Sequence, residues 1–214
     1  MWEGLEPRRG PIRRSDTSSA CPAQSSRPNE PHMILAVDVH YRDTSATVAG
    51  VVFAQWDDAQ AFASHTVTCD DIANYVPGEF YRRELPCIVQ LLDRLAKLDS
   101  LKDVAIDCIA IDGYVWLGAE QRPGLGAHLR EALHDRVPVV GIAKTCYAGT
   151  PAEAEVRRGG SDRPLYVSAA GMALVDARAA VAGMSGSHRI PDLLKQVDRL
   201  ARGLEEPAAA KSLR

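Results

Sequence analysis

An apolar run that stops abruptly at Asp-Gly, IDCIAIDG over residues 106–113, constrains this chain more than any other stretch. Such a run suits a strand buried on both faces, and a carboxylate directly after it lands where strand meets solvent, the place where open α/β sheets keep their chemistry. Asp112 is therefore the first candidate functional acid. A second buried-looking run, VPVVGIAK over 137–144, ends in Lys144. If the two strands lie parallel and adjacent, their tips bring an acid and a base to one rim.

The remaining composition narrows the class. With 214 residues and 46% hydrophobic content, the chain suffices for one well-cored domain. A formal net charge of −3 excludes a non-specific nucleic-acid packager, so any contact with nucleic acid must come from a local patch. Cys21, Cys69, Cys87, Cys108 and Cys146 are odd in number and scattered, without a Cys-x-x-Cys pair. That pattern argues against both a disulfide framework and a zinc site, and suits a reducing cytoplasm. No apolar run approaches the roughly 18 to 20 residues that span a bilayer. The expectation is a cytoplasmic monomer without a membrane partner.

Residues 1–32 are rich in Pro, Ser, Arg and Gly without apolar periodicity, and are expected to be disordered. Met33 opens the first strand directly and is a candidate translation start; a basic tail that touches nucleic acid is the alternative reading of what precedes it. MILAVDVHY (33–41) reads as a central strand, apolar on both faces apart from Asp38, whose burial calls for a cation or local hydrogen bonds. Residues 44–53 and 63–69 continue as an antiparallel meander. In NYVPGEFYRRE (74–84), Pro77 and Gly78 force a turn between Tyr75 and Phe80, which is either a cradle for a flat ligand or a plain loop before a helix.

Apolar residues at helical spacing predict a helix over 83–98, with Glu84 in its first turn either complementing the helix dipole or facing the acid rim. A Gly-rich loop follows Asp112, and its Trp116 is either a packing residue or a stacking surface. Helices are predicted over 125–134, 174–182 and 190–202, a short strand over 164–168, and no order over 145–163. Asp198 on the last helix either overlooks the sheet edge or is solvated. The domain is expected to span 33–203, with 204–214 a frayed tail.

Taken in order, VDVHY, YVPGEFYRRE, IDG, GIAK and RIPDLLKQVD resemble endonuclease V, a deoxyinosine-directed nuclease family, over about 33–202. The resemblance implies an α/β, ribonuclease H-like mixed sheet flanked by helices, and a metal-dependent endonuclease that cuts near deaminated nucleotides. It implies Asp38, Glu84, Asp112 and Asp198 as ligands of Mg2+ or Mn2+, and Lys144 beside the scissile phosphate. It also implies Tyr75 as a strand-separating wedge, Pro77, Gly78 and Phe80 as the base cradle, and His128 as a substrate contact. DNA or single-stranded RNA is the implied partner.

The chain departs from the family where GYVWLGAEQRPGLGAH replaces a His-Gly-x-x-His-Pro-Arg stretch, leaving neither early His, and where Gly171 and Met172 replace a Gly-His. The acids are kept and the substrate-contact region is altered. One reading is a nuclease whose Trp116 stacks on single-stranded substrate, with weakened preference for inosine. The other is a binding protein that keeps fold and pocket but cuts poorly. In either, Arg82, Arg83 and Arg122 are candidate phosphate contacts.

Overall fold

The computed structural model describes residues 32–42, 45–70, 72, 79 and 81–210. The expectations for 1–31 and for Tyr75, Pro77, Gly78 and Phe80 lie outside these residues.

Strand β1 (His32–Tyr41) buries Leu35 and Val37 on one side and Ile34 and Ala36 on the other, so it needs a layer on each face. It accordingly lies inside the sheet, with a strand on either side. β2 (Ser45–Phe53) pairs antiparallel with β1, and β3 (Ala63–Asp70) antiparallel with β2, giving the expected meander. β4 (Ala105–Ile111) joins the other side of β1 in parallel. After a two-stranded hairpin of β5 (Trp116–Leu117) and β6 (Arg122–Pro123), β7 (Val139–Ala143) pairs parallel with β4. The acid strand and the lysine strand are thus the parallel neighbours that the sequence suggested. β8 (Glu155–Val156) and β9 (Leu165–Ala170) complete a seven-stranded sheet in the order β3-β2-β1-β4-β7-β9-β8.

Helix α1 (Tyr81–Leu95) lays Ile88, Leu91 and Leu95 on one face of the sheet, where α2 (Leu125–Ala132) adds Leu129. The other face is covered by α3 (Leu174–Gly183) through Ala177 and Val181, and by α4 (Asp192–Ala201) through Leu193, Val197 and Leu200. Each fully buried Leu or Val contributes about 1.5–3 kcal/mol against exposure, so these stripes hold the helices in register with the sheet. α1 stops short of the predicted end because Leu98 is already extended, with φ −84° and ψ 123°, and caps a 3-10 turn.

Two connections are more ordered than their patterning predicts. The stretch 145–163 contains a 3-10 turn at Ala152–Ala154 and the edge strand β8, each too short to leave a periodic signal. The Gly-rich loop after Asp112 holds the β5–β6 hairpin. Beyond α4 the chain returns to β3, where Ala208 donates to Ser64 Oγ at 2.8 Å and accepts from the Ser64 amide at 3.0 Å.

Candidate active site

Each acid of the sequence set comes from a different regular element. Asp38 lies within β1, Asp112 follows the last residue of β4, Glu84 sits in the first turn of α1, and Asp198 is on α4. Lys144 follows the last residue of β7. Parallel pairing of β1, β4 and β7 brings Asp38, Asp112 and Lys144 to one end of the sheet, and α4 crosses there. A glycine makes the turn possible: Gly113, at φ +138°, swings the chain away immediately after Asp112. Gly141 on β7 then lets that chain pass, since a Cβ there would stand 2.7 Å from the Gly113 carbonyl and 2.8 Å from Ser168 Oγ.

Lys144 Nζ donates to Asp112 Oδ2 at 2.6 Å and stands 3.7 Å from Asp198 Oδ1. The other Asp198 oxygen accepts from Arg202 Nε at 2.9 Å. Asp198 therefore faces the site rather than open solvent. Asp38, Asp112 and Lys144 line a small cavity of about 20 Å³ under Ile190 and Val197, room for one water-sized particle.

The electrostatics are those of an acid cluster with too little positive charge. Burial, then Asp112 and Asp198, push the Asp38 carboxyl up to about 7, against Lys144 and the Val39 amide, which donates to Oδ1 at 2.8 Å. Glu84, 8% exposed, is pushed up to about 9 by burial and then by Asp38 and Asp112, with Arg83 acting the other way. Burial alone would lower the Lys144 ammonium, but Asp112 by charge and hydrogen bond, with Asp38 and Asp198, holds it above its ordinary value.

These hard oxygen donors, repelling one another, suit a divalent cation such as Mg2+ in kind. Among the described residues no group of three His, Cys, Asp or Glu side chains stands close enough to hold a metal ion as placed. Lys144 instead bridges Asp112 and Asp198. A cation here would therefore compete with the ammonium for the same oxygens.

Beside the acids lies a cleft of about 210 Å³, edged by Glu84 and Asp112 and walled by Tyr81, Tyr114, Gly124 and Leu125. The other substrate candidates are placed differently from expectation. The Arg83 guanidinium turns back over the Tyr41 ring, 4.1 Å from its centroid, and Arg82 pairs with Glu79 at 2.7 Å. His128 stacks on Tyr81 with centroids 3.7 Å apart, behind the cleft wall. Trp116 does not border the acid cleft; its indole N–H donates to the Ala169 carbonyl at 2.9 Å, and its ring lines a neighbouring cleft.

Sequence reasoning missed Arg189 and the role of Tyr114 as a tie between two loops. The Tyr114 hydroxyl donates to the Thr145 carbonyl at 2.9 Å and accepts from the Tyr147 amide at 3.0 Å, tying the loop after β4 to the loop after β7. Arg189 donates to the carbonyl of Lys144, and to that of Pro164 at 2.8 Å, which holds the backbone under the lysine. Its place in the Arg-x-Pro step before α4 was the available signal.

The family model for Endonuclease V matches residues 16–181. Endonuclease V of Alkalilimnicola ehrlichii is 28% identical over 199 residues, covering 83% of each chain. The solved Endonuclease V of Streptomyces avermitilis is 26% identical with a TM-score of 0.62, covering 83% of each chain. That of Ciona intestinalis, solved with DNA containing an inosine followed by a ribo-adenosine, is 18% identical with a TM-score of 0.64 over 80% of this chain and 85% of its own. The sheet order and these likenesses carry the ribonuclease H-like fold.

Proposed function

The chain belongs to the endonuclease V family, and from that premise we propose that it is a metal-dependent endonuclease that cuts a phosphodiester near a deaminated, inosine-type nucleotide in DNA or single-stranded RNA. The observation that carries this reading is the convergence of Asp38, Asp112 and Asp198 on Lys144 at one end of the sheet, with Glu84 within reach of the charges of Asp38 and Asp112. A divalent cation held by these carboxylates would activate a water and steady the leaving oxygen. Lys144, drawn to the acids in the free protein, would turn its ammonium to the scissile phosphate once a cation takes up their charge. The shared repulsion among the acids favours that exchange, because the cation relieves what one ammonium leaves uncompensated.

In this reading the target base enters the cleft walled by Tyr81, Tyr114 and Leu125, with its phosphates toward Asp112. Arg122 supplies the local positive charge that the overall balance lacks: its guanidinium donates to Tyr147 Oη at 2.5 Å and has no carboxylate partner among the described residues. Work in the cytoplasm by a single chain fits the free thiols of Cys69, Cys87, Cys108 and Cys146. Among the described residues no helix is long and apolar enough to cross a membrane.

End-labelled DNA and RNA strands carrying one inosine, incubated with Mg2+ or Mn2+, test the reading. A single metal-dependent cut near the inosine is expected. Tight binding of the inosine strand without any cut would establish the non-cutting alternative instead.

A further inference from the structure

Tyr114 and Trp116 stand two residues apart on the same loop, and Tyr114 borders both the acid-edged cleft and the cleft that Trp116 lines. Beyond Tyr114 lies a second cleft of about 220 Å³, slightly larger than the acid-edged one, and Glu84 does not line it. Tyr114 is the common wall, and its hydroxyl is held by the Thr145 carbonyl, the Tyr147 amide and, at 3.5 Å, Thr150 Oγ1. A wall fixed at so many points does not swing aside to merge the two spaces. They are separate compartments, each large enough for one nucleobase-sized ring.

The second cleft offers the groups that a base requires. Trp116 has spent its only hydrogen-bonding group on Ala169, so what it presents is aromatic surface. Ser168 Oγ is likewise engaged, accepting from the Val115 amide at 2.8 Å. The lining also carries the exposed Gln121 amide, on a turn whose φ of +51° is rare for a non-glycine residue. A carboxamide can donate and accept at once, which matches the edge of any base. Near the mouth, Arg122 lies over the Tyr147 ring at 5.9 Å, and Tyr147 meets Tyr114 edge-on with centroids 6.2 Å apart. A cation with no carboxylate partner among the described residues is thereby held beside the wall that divides the two clefts.

We infer that this second cleft binds the nucleobase adjacent to the target on the same strand, stacked on Trp116 and met by Gln121, with Arg122 on the phosphate between the two bases. The protein then reads a two-base step rather than a single lesion, and this rests on the nuclease reading above. Stacking on an aromatic wall is tolerant of base identity, so the cleft senses whether a neighbouring base is present more strongly than which base it is.

The test is the affinity of the metal-free protein for fluorescent single strands carrying one inosine, with the base on its 5′ or its 3′ side replaced by an abasic site. Removal of one neighbour, and not the other, is expected to weaken binding about tenfold, the scale of one lost base stack. In Trp116→Ala the intact and abasic strands should bind alike. Trp116→Phe, which keeps a ring and guards against misfolding, should retain the difference, and Gln121→Ala should reduce it. Free adenosine monophosphate at millimolar concentration is expected to leave strand binding unchanged; competition by it that Trp116→Ala abolishes would make the cleft a free-nucleotide site and overturn the inference.

Equal affinity for intact and both abasic strands also overturns it, as does an abasic effect that persists in Trp116→Ala. Cleavage of the same strands with Mg2+ separates the two readings. Cutting near inosine without an abasic effect removes the second cleft alone, whereas an abasic effect with no cutting keeps the cleft and removes the nuclease. Failure to bind any strand removes both.

Discussion

The acid rim and the loop wall beside it are built on opposite principles. The rim draws Asp38, Glu84, Asp112, Asp198 and Lys144 from strands and helices whose positions the sheet dictates, and it leaves like charges facing one another, with Asp38 and Glu84 pushed up to about 7 and 9. The wall draws Tyr114 and Tyr147 from irregular chain and Trp116 from the two-residue strand β5, and there the hydroxyl of Tyr114 and the indole N–H of Trp116 have partners. The rim is placed rigidly and left electrostatically strained; the wall is placed by hydrogen bonds and left relaxed. Strain is useful where a cation or a reacting phosphate can relieve it, and costly where the task is only to hold a flat ring.

That contrast is sharpest under substitution. Asp112→Asn or Asp38→Asn should lower kcat on the order of 10²–10³-fold or more, and Asp38→Asn should raise the melting temperature of the metal-free protein at pH 8. A fall in stability with Asp38→Asn would mean that the rim is not strained. Lys144→Met should lower kcat by about 10²-fold but have the opposite effect on stability, because it removes the cation that bridges Asp112 and Asp198. Comparing melting curves of the two kinds of variant separates charge relief from simple loss of packing.

A pH effect follows from the same charges. Asp38 and Glu84 keep their protons in the folded state to about 7 and 9, whereas in the unfolded chain they lose them near pH 4. Below that value both states are protonated and the groups contribute no difference. As pH rises, the unfolded chain releases protons that the folded one retains, so stability falls across the interval from about 4 to 9. Metal-free protein should melt several degrees lower at pH 8 than at pH 5.5, and added Mg2+ should recover the loss at pH 8 and do little at pH 5.5. An unchanged melting temperature would contradict the raised carboxyls. The smallest effect belongs to Asp198→Asn, about tenfold in kcat, since Arg202 already takes up part of that charge.

The two regions also differ in how far the sequence betrayed them. Asp112 and Lys144 each end a run of apolar residues, and strand pairing turns that one-dimensional fact into a shared rim. β1, with Asp38 inside an apolar run, was legible for the same reason. The loop wall left no such trace. Two-residue strands have no period, and Tyr114 gains its position from Thr145 and Tyr147, partners about thirty residues away that only the parallel pairing of β4 and β7 brings near. The setting of Arg83 was hidden for a related reason: it stands beside Glu84 in the chain, but its guanidinium lies over the Tyr41 ring.

The central claim is that the rim carboxylates take up a divalent cation in exchange for Lys144. Titration of the metal-free protein with Mn2+, followed by electron paramagnetic resonance at pH 8, reads this without reference to cleavage. Saturable uptake is predicted for the unmodified chain, weakened on the order of tenfold or more in Asp38→Asn and in Asp112→Asn, and left intact in Trp116→Ala. Uptake that is the same in both Asp variants as in the unmodified protein, or no saturable uptake at all, would contradict the account.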